Sequence, residues 1–268
     1  MTIQEVIDRI LAYHPPLNRD VTCDGFKCGD PAAEVTGIVT TCCASVEVIR
    51  KTIELGANLI ICHEPMFYLH YDPLDWLEGD PVFEEKMQLC KEHGIAVWRD
   101  HDHIHTHKPD GIRYGLMQEL GWSDYLIGTP DRPAHFCIPE TTVKDLAYFL
   151  KERIGLNGVR IIGNADAVIR NVMFCSHVLP GENEKAPTEL LRRDDVDVLI
   201  PGELIDWTTM CYARDAGQLG KKKAIIHLGH INSEELGMKY AAVWVRELVN
   251  GEIPVQFVRS ADTYQYIV

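Results

Sequence analysis

The first half of the chain alternates short apolar segments with stretches in which apolar residues recur every three or four positions. The apolar segments are rich in β-branched residues and predict buried strands, whereas the longer spacing is typical of helices with one buried face. Ser45 is suited to cap the first helix and Gly56 to end it. The predicted strands are residues 35–40, 57–62 and 95–98, and the predicted helices lie between residues 45 and 56, at 81–93 and at 112–120.

The second half repeats this alternation after a turn-rich connector at residues 128–133. Thr142 and Asp145 resemble a capping box before a helix that carries Val143 to Ile154, and Ser233 is a plausible start for a last helix to about residue 249. The predicted strands here are residues 135–138, 168–175, 196–200, 224–228 and 254–258. Strands that alternate with helices predict an α/β fold.

Composition narrows the class of protein. A length of 268 residues indicates one or two domains, and no apolar run approaches the roughly 18 residues of a membrane span. The net charge of −14 opposes binding to nucleic acid. The first residues lack the basic and apolar regions of a signal peptide, so a cytoplasmic location is expected. Nine cysteines without paired C-x-x-C spacing are interpreted as reduced core thiols.

Histidine is the residue type that points to chemistry. Four of the 12 histidines occupy alternate positions within residues 100–107, directly after a predicted strand: His101, His103, His105 and His107. If this stretch is extended, its period of two places all four imidazoles on one side. Such spacing presents nitrogen ligands to zinc, iron or manganese. The alternative is a solvated histidine-rich loop.

Two further motifs carry residues that commonly bind metals. His63 and Glu64 follow the apolar segment at 57–62, and adjacent side chains that point in different directions can serve two neighbouring ions. His230 and Glu234 are spaced by four residues, which places both on one face of a helix. Each motif alone is weak, since a polar pair at a strand end or a chance spacing also explains it. Glu203, after Gly202, is either a carboxylate at the rim of a site or a surface glutamate.

Together, the order and context of these motifs resemble the NIF-three-like dinuclear metal-centre family, whose members carry the name GTP cyclohydrolase I type 2. That family has a His-His pair after a strand, a His-x-x-x-Asp motif after the next strand, and Gly-His-x-x-x-Glu near the C-terminus. The matching segments here are Cys62-His63-Glu64-Pro65, residues 98–105 and Gly229-His230-Ile231-Asn232-Ser233-Glu234. Glu64 stands where the family has histidine, and His105 stands where it has aspartate.

The resemblance implies two interlinked α/β units, with residues 1–127 and 226–268 forming the unit that carries the metal ligands and residues 128–225 forming the other. It implies a ring-shaped homohexamer and a site for two divalent ions, with Glu234 as the best candidate to bridge them. In another register of the loop, Asp102 or His103 would replace His105 as a ligand. The implied ligands are His63, Glu64, His105, His230 and Glu234.

The resemblance also implies a metal-dependent hydrolase whose substrate is a small molecule: a nucleotide, a heterocycle, a cyclic amide or a phosphoester. His101 and His103 are the candidates for general acid or base, because imidazole titrates near neutral pH, and His101 is also a candidate for an added ligand. The alternative is a non-catalytic metal-binding scaffold, metallochaperone or regulatory protein. Mixed histidine and carboxylate ligands suit zinc, iron, manganese and nickel alike.

Overall fold

The computed structural model describes residues 1–131, 133–175, 185–203 and 205–267, which contain two β-sheets and eight α-helices. This confirms the predicted α/β class. In chain order the elements are α1 (Ile3–Tyr13), β1 (Gly25–Cys28), β2 (Ile38–Thr41), α2 (Val46–Glu54), β3 (Leu59–Cys62), α3 (Pro81–Glu92), β4 (Ala96–Arg99), α4 (Gly111–Leu120), β5 (Leu126–Ile127), β6 (Ala134–Thr142), α5 (Val143–Ile154), β7 (Arg160–Ile162), β8 (Val168–Cys175), α6 (Ala186–Arg192), β9 (Val198–Pro201), α7 (Thr209–Gln218), β10 (Ala224–His227), α8 (His230–Leu248) and β11 (Val255–Phe257).

The chain forms two compact units, each made of two segments. The first unit consists of Met1–Gly115 and Gly237–Ala261, and the second of Leu116–Leu236 and Asp262–Val268. The division therefore falls within α4 and α8, while the domain boundaries drawn from the sequence at 127/128 and 225/226 stay a prediction. Among the described residues, no helix has both the length and the apolar character that crossing a bilayer requires.

The sheet of the first unit has the strand order β1-β4-β3-β2-β11. Strands β4, β3, β2 and β11 are parallel to one another, and β1 pairs with β4 in the antiparallel sense at the edge. Every residue of β2, β3 and β4 is buried, as expected for parallel strands covered on both faces. Because Cys62 pairs with Arg99, β3 and β4 end side by side.

The sheet of the second unit has the order β5-β6-β8-β9-β10-β7. Its three central strands, β8, β9 and β10, are parallel, and the remaining pairs are antiparallel. The core on one face contains Met173, Leu191, Leu199, Ala213 and Ile225. Because β9 and β10 are parallel neighbours, the loops that follow them leave the same edge of the sheet.

The predicted strands and helices all overlap observed ones, with one notable shift. Helix α8 begins at His230 and not at Ser233, because Gly229 takes a φ of 94° and turns the chain directly into the helix. Helix α1 was not predicted, although Thr2 and Glu5 form a capping box before its apolar residues. The edge strands β1, β5 and β7 were also not predicted.

Candidate metal sites

In the first unit, two loops rich in histidine and acidic residues leave the sheet at the same edge. His63 and Glu64 follow β3, and residues 100–107 follow β4. The strands are parallel and in register up to their last residues, so their carboxyl ends deliver the two loops together. This edge of a parallel sheet is where α/β folds commonly bind ligands.

Three histidines from these loops converge. His63, His101 and His105 each offer a ring nitrogen, and these atoms lie within 4.8 Å of one another. Their ring centroids are 4.6 to 4.9 Å apart. Three nitrogen donors at this separation fit a transition-metal ion. His63 and His105, both predicted as metal ligands, thus lie close together, and His101 lies beside them.

The loop after β4 is not extended, which corrects the expectation that its four imidazoles share one side. Residues Ile104–Thr106 form a 3₁₀ turn, so the helix-like spacing of four brings His101 and His105 together. His103 and His107 point to other partners. The turn therefore divides the four histidines into pairs with different surroundings.

Each of the three converging histidines has its Nδ1 atom next to an oxygen. His63 Nδ1 lies 3.1 Å from the carbonyl oxygen of Asp100, His101 Nδ1 lies 3.1 Å from Asp102 Oδ1, and His105 Nδ1 lies 2.8 Å from Asp110 Oδ2. A metal-binding histidine commonly donates its second ring N–H to an oxygen, which fixes the tautomer and the ring orientation. The set therefore fits an ion bound through the Nε2 atoms.

The protonation of His101 suits the same role. Burial, followed by the charges of His63 and His105, lowers its pKa to about 3. A metal ligand must be the neutral imidazole, and this environment keeps His101 neutral at physiological pH. The hydrogen-bonded Asp102 remains ionised. Burial raises its pKa, but the hydrogen bonds from the Thr22 hydroxyl and His101 lower the pKa by a larger amount, so the net shift is downward.

Arg99, the last residue of β4, organises the backbone around His63 and Glu64. Its guanidinium is fully buried, donates from Nε to the carbonyl oxygen of His63 at 2.9 Å, and donates to the carbonyl oxygen of His70. Its Nη2 lies 3.5 Å from Glu64 Oε2. Glu64, predicted as a ligand, thus has one carboxylate oxygen directed at this arginine, which offsets its charge.

His103, predicted as a general acid or base, contacts Asp24. Its Nδ1 lies 2.6 Å from Asp24 Oδ2, and the same carboxylate accepts the backbone N–H groups of His101, Asp102 and His103. Burial raises the pKa of Asp24, but these hydrogen bonds together hold it below its ordinary value. Asp24 therefore fixes the start of the loop through a contact distant in sequence.

His107 ends a hydrogen-bonded chain that begins at a buried carboxylate. Asp100 Oδ2 lies 3.0 Å from His14 Nε2, and His14 Nδ1 lies 2.8 Å from His107 Nε2. Asp100 also supplies the carbonyl that faces His63. The loop after β4 is thus tied to the residue after α1, to the residue after β3 and to the segment before β1.

In the second unit, His230 lies between two carboxylates. Its Nδ1 is 3.3 Å from Glu203 Oε1, and its Nε2 is 3.4 Å from Glu234 Oε2. Glu203 follows β9 and His230 follows β10, so two neighbouring parallel strands again deliver the polar residues. Glu234 is buried, one turn into α8. The predicted pair His230 and Glu234 thus lies in contact, and Glu203 lies on the other side of the His230 ring.

Sequence reasoning missed Asp24, Arg99 and Asp110. Arg99 had a visible signal, since it is a charged residue between an apolar strand and a histidine run. Asp110 also had one, because it follows Pro109 and accepts the N–H groups of Ile112 and Arg113 at the start of α4, as an N-cap does. Asp24 had none, since the loop residues that its carboxylate holds lie more than 70 residues away.

Comparison with known proteins covers nearly the whole chain. The family model for Duf34/NIF3 (NGG1p interacting factor 3) matches residues 1–263. A Clostridium perfringens protein called GTP cyclohydrolase 1 type 2 homolog is 22% identical over 252 residues, which are 91% of this chain and 90% of that protein. A Clostridium acetobutylicum protein of the same name is 25% identical over 230 residues, 81% of this chain and 79% of that protein.

Solved structures show a similar fold. A Bacillus cereus protein related to NIF3 superimposes with a TM-score of 0.73 at 16% identity, covering 100% of this chain and 99% of that one. Likeness at this identity speaks for the fold alone.

Proposed function

The chain belongs to the Duf34/NIF3 family, and from this premise we propose that it is a divalent-metal-binding protein that hydrolyses a small molecule. Membership confirms the resemblance drawn from the three motifs. The observation that carries the proposal is the convergence of His63, His101 and His105, each with its Nδ1 held by an oxygen. Such outer hydrogen bonds are the usual support for metal-binding imidazoles.

The proposed ion content is two per chain. The histidine cluster of the first unit, with Glu64 beside it, would hold one ion, and His230 with Glu234 of the second unit would supply ligands to the other. Nitrogen and carboxylate donors suit zinc, iron, manganese and nickel. A dinuclear arrangement of these ions and a homohexameric assembly are part of the same proposal.

A bound divalent cation supplies Lewis acidity, which polarises a substrate oxygen and makes water more acidic. Residues of the chain would hold the cation and transfer protons. His103, oriented through Nδ1 by Asp24, is the candidate to hold or release a proton at Nε2, and its side chain is 19% exposed, so solvent reaches part of the ring. His101 is expected to act as a ligand, since its pKa is too low for it to carry a proton at neutral pH.

The first substrate to test is GTP, because relatives carry the name GTP cyclohydrolase 1 type 2 homolog. Other nucleotides, phosphoesters and cyclic amides are the next substrate classes to test. The proposed cellular location is the cytoplasm. A non-catalytic role is the second candidate. The complete burial of His63 favours it, since an ion with few open positions stabilises a fold more readily than it reaches a substrate.

The test combines metal reconstitution with a substrate screen. Apo protein is loaded with zinc, manganese, iron(II) or nickel and assayed for hydrolysis of GTP and the other classes, alongside His105→Ala, Glu234→Ala and the control His93→Ala. His93 is exposed at the end of α3. We expect metal-dependent turnover that falls more than about a hundredfold in the two ligand variants, beyond the effect of losing an outer hydrogen bond. Full occupancy without turnover on any substrate would contradict the hydrolase and favour the scaffold.

A further inference from the structure

A second group of metal-binding donor atoms lies beside the histidine cluster in the first unit. Cys23, His70 and Asp102 each offer one donor atom, and these atoms lie within 4.8 Å of one another. The residues come from three separate segments: the one before β1, the one after β3 and the loop after β4. A thiolate, an imidazole and a carboxylate at this separation form a mixed donor set that suits zinc and similar divalent ions.

This group reaches from the interior of the unit to solvent. Cys23 and Asp102 are buried, whereas His70 is exposed. The His70 imidazole nevertheless stands on a fixed backbone, because the buried Arg99 guanidinium donates to the carbonyl oxygen of His70. The histidine cluster lies deeper, since His63 has no exposed surface. An ion that arrives from solvent can therefore contact His70 before it contacts His63.

Shared residues join this group to the histidine cluster. Cys23 is also a member of a set in which its thiol, Asp24 and His101 offer donor atoms within 4.8 Å of one another. His101 in turn belongs to the histidine cluster. The centroids of the His70 and His101 rings are 5.3 Å apart. Neighbouring sets of donors thus have a residue in common at each step, which allows a bound ion to exchange its ligands one at a time.

An exposed positive charge occupies the carboxylate of this group. Arg19 Nη1 lies 3.1 Å from Asp102 Oδ1, and the Arg19 side chain is 52% exposed. The other carboxylate oxygen, Oδ2, accepts from the Thr22 hydroxyl and the Cys23 backbone N–H, so Asp102 is held in place without the arginine. A buried carboxylate requires a positive partner. A divalent ion can take that place while the arginine moves into solvent.

We propose that Cys23, His70 and Asp102 form an entry site that captures a divalent ion from solvent and delivers it to the histidine cluster by way of His101. Capture forms bonds from the ion to the thiolate, an imidazole nitrogen and a carboxylate oxygen, and the thiol proton goes to water. Transfer replaces these bonds with bonds to the cluster, and Cys23 takes up a proton again. The ion keeps its charge throughout. The entry site rests on the proposed function in one respect, since the histidine cluster is the destination of the ion.

The test follows the loading of apo protein with one cobalt(II) ion per chain by stopped-flow absorption. Cobalt(II) is the probe because a bond to a thiolate gives it a near-ultraviolet charge-transfer band that histidine and carboxylate ligands do not give. In the wild type, this band should appear first and then decay while the visible bands of the final site grow. The decay is expected because the proposed ligands of the cluster include no cysteine.

Two variants with matched controls separate the entry site from the cluster. Cys23→Ser should abolish the thiolate band. Cys23→Ser and His70→Ala should each slow loading by about tenfold or more, because each removes a donor from the captured ion. The final cobalt content should equal that of the wild type, since neither residue is a ligand of the cluster. The controls Cys211→Ser, at a partly exposed cysteine, and His93→Ala, at an exposed histidine, should load as the wild type does.

Loading at the wild-type rate in both variants would overturn the proposal. A thiolate band that persists to the end of loading would also overturn it, because Cys23 would then be a resident ligand. Should Cys23→Ser not fold, the time course of the wild-type band and the loading rate of His70→Ala, at an exposed position, decide between these outcomes and the expected one. If the histidine cluster holds no ion, the visible bands do not grow in the wild type itself, which overturns the proposed function and the entry site together. Failure of the entry site alone leaves that growth intact.

Discussion

At the scale of single residues, the histidine cluster depends on oxygens that hold the Nδ1 atoms. His63 faces a backbone carbonyl that no substitution removes, whereas His105 faces the side chain of Asp110 at 2.8 Å. Asp110 is also buried and uses its other oxygen to accept two N–H groups of α4. It is therefore the residue at which the outer support of the cluster can be removed selectively.

Replacing Asp110 with Asn should weaken metal binding by about ten- to a hundredfold, the usual effect of losing an outer partner of a metal-binding histidine. Asn retains an oxygen that can accept from the helix, so the fold should be kept. Isothermal titration of zinc into apo protein measures the affinity.

The control for this substitution is Asp124→Asn, at an exposed aspartate of the second unit. Its zinc affinity should equal that of the wild type. Unchanged affinity in Asp110→Asn would show that His105 does not need this partner, and thus that the cluster is not a metal site of the expected kind.

At the scale of elements, the loop after β4 is shaped by one distant carboxylate. The side chain of Asp24 is buried, and its two carboxylate oxygens accept from three consecutive backbone N–H groups and contact His103. Without this carboxylate, those N–H groups would lack an acceptor in a poorly solvated position. Each one left unsatisfied lowers the stability of the fold by about 1–3 kcal/mol. The geometry of the histidines follows from this anchor.

Asp24→Ala should therefore lower the free energy of unfolding by about 2 kcal/mol or more, as measured by urea denaturation. Asp30→Ala serves as the matched control, because Asp30 is an exposed aspartate that accepts a single N–H, from Ala32. It should change stability by less than about 0.5 kcal/mol. Equal effects of the two substitutions would mean that Asp24 does not anchor the loop.

The same loop shows how far sequence reasoning reaches. Alternating apolar segments located β3 and β4, and the rule that parallel strands bind ligands at their carboxyl ends located the site. The extended conformation expected for His101 to His107 was wrong, because the contacts of Asp24 and the turn at Ile104 compete with local strand propensity. Such contacts, separated by more than 70 residues, leave no periodic signal in the chain.

Helix α8 gives a complementary case. The spacing of His230 and Glu234 predicts a shared helix face, and one helix does contain both residues, but it begins before the predicted start at Ser233. The turn at Gly229, with a φ of 94°, sets the start at His230. A glycine directly before a histidine was a usable signal, because only a backbone with this freedom turns so sharply from a strand into a helix.

At the scale of the whole molecule, each of the two units delivers polar residues from neighbouring parallel strands. β3 and β4 carry them in the first unit, and β9 and β10 in the second. The second unit also contains His227, at the end of β10, whose Nδ1 accepts a hydrogen bond from Arg160 of β7. This contact requires a neutral imidazole.

Stability of the second unit should accordingly fall in acid. Burial, followed by the charge of Arg160, lowers the pKa of His227, so between its folded pKa and about 6.5 the unfolded chain binds more protons than the folded one. Stability from this residue is present above about 6.5 and is lost as the pH falls below it. Urea midpoints of wild type and His227→Gln between neutral and acidic pH measure the effect. The variant should show the smaller decline, and parallel declines would contradict the assignment.

Metal stoichiometry tests the proposed binding of two divalent ions through the residues named above. Protein reconstituted with excess zinc and dialysed is measured by inductively coupled plasma mass spectrometry. We expect about two ions per chain in the wild type and in His93→Ala, and the loss of one ion in a His63→Ala, His105→Ala double variant that remains folded by circular dichroism. Less than one ion per chain in the metal-replete wild type, or unchanged metal content in the double variant, would show that these residues do not hold the two ions.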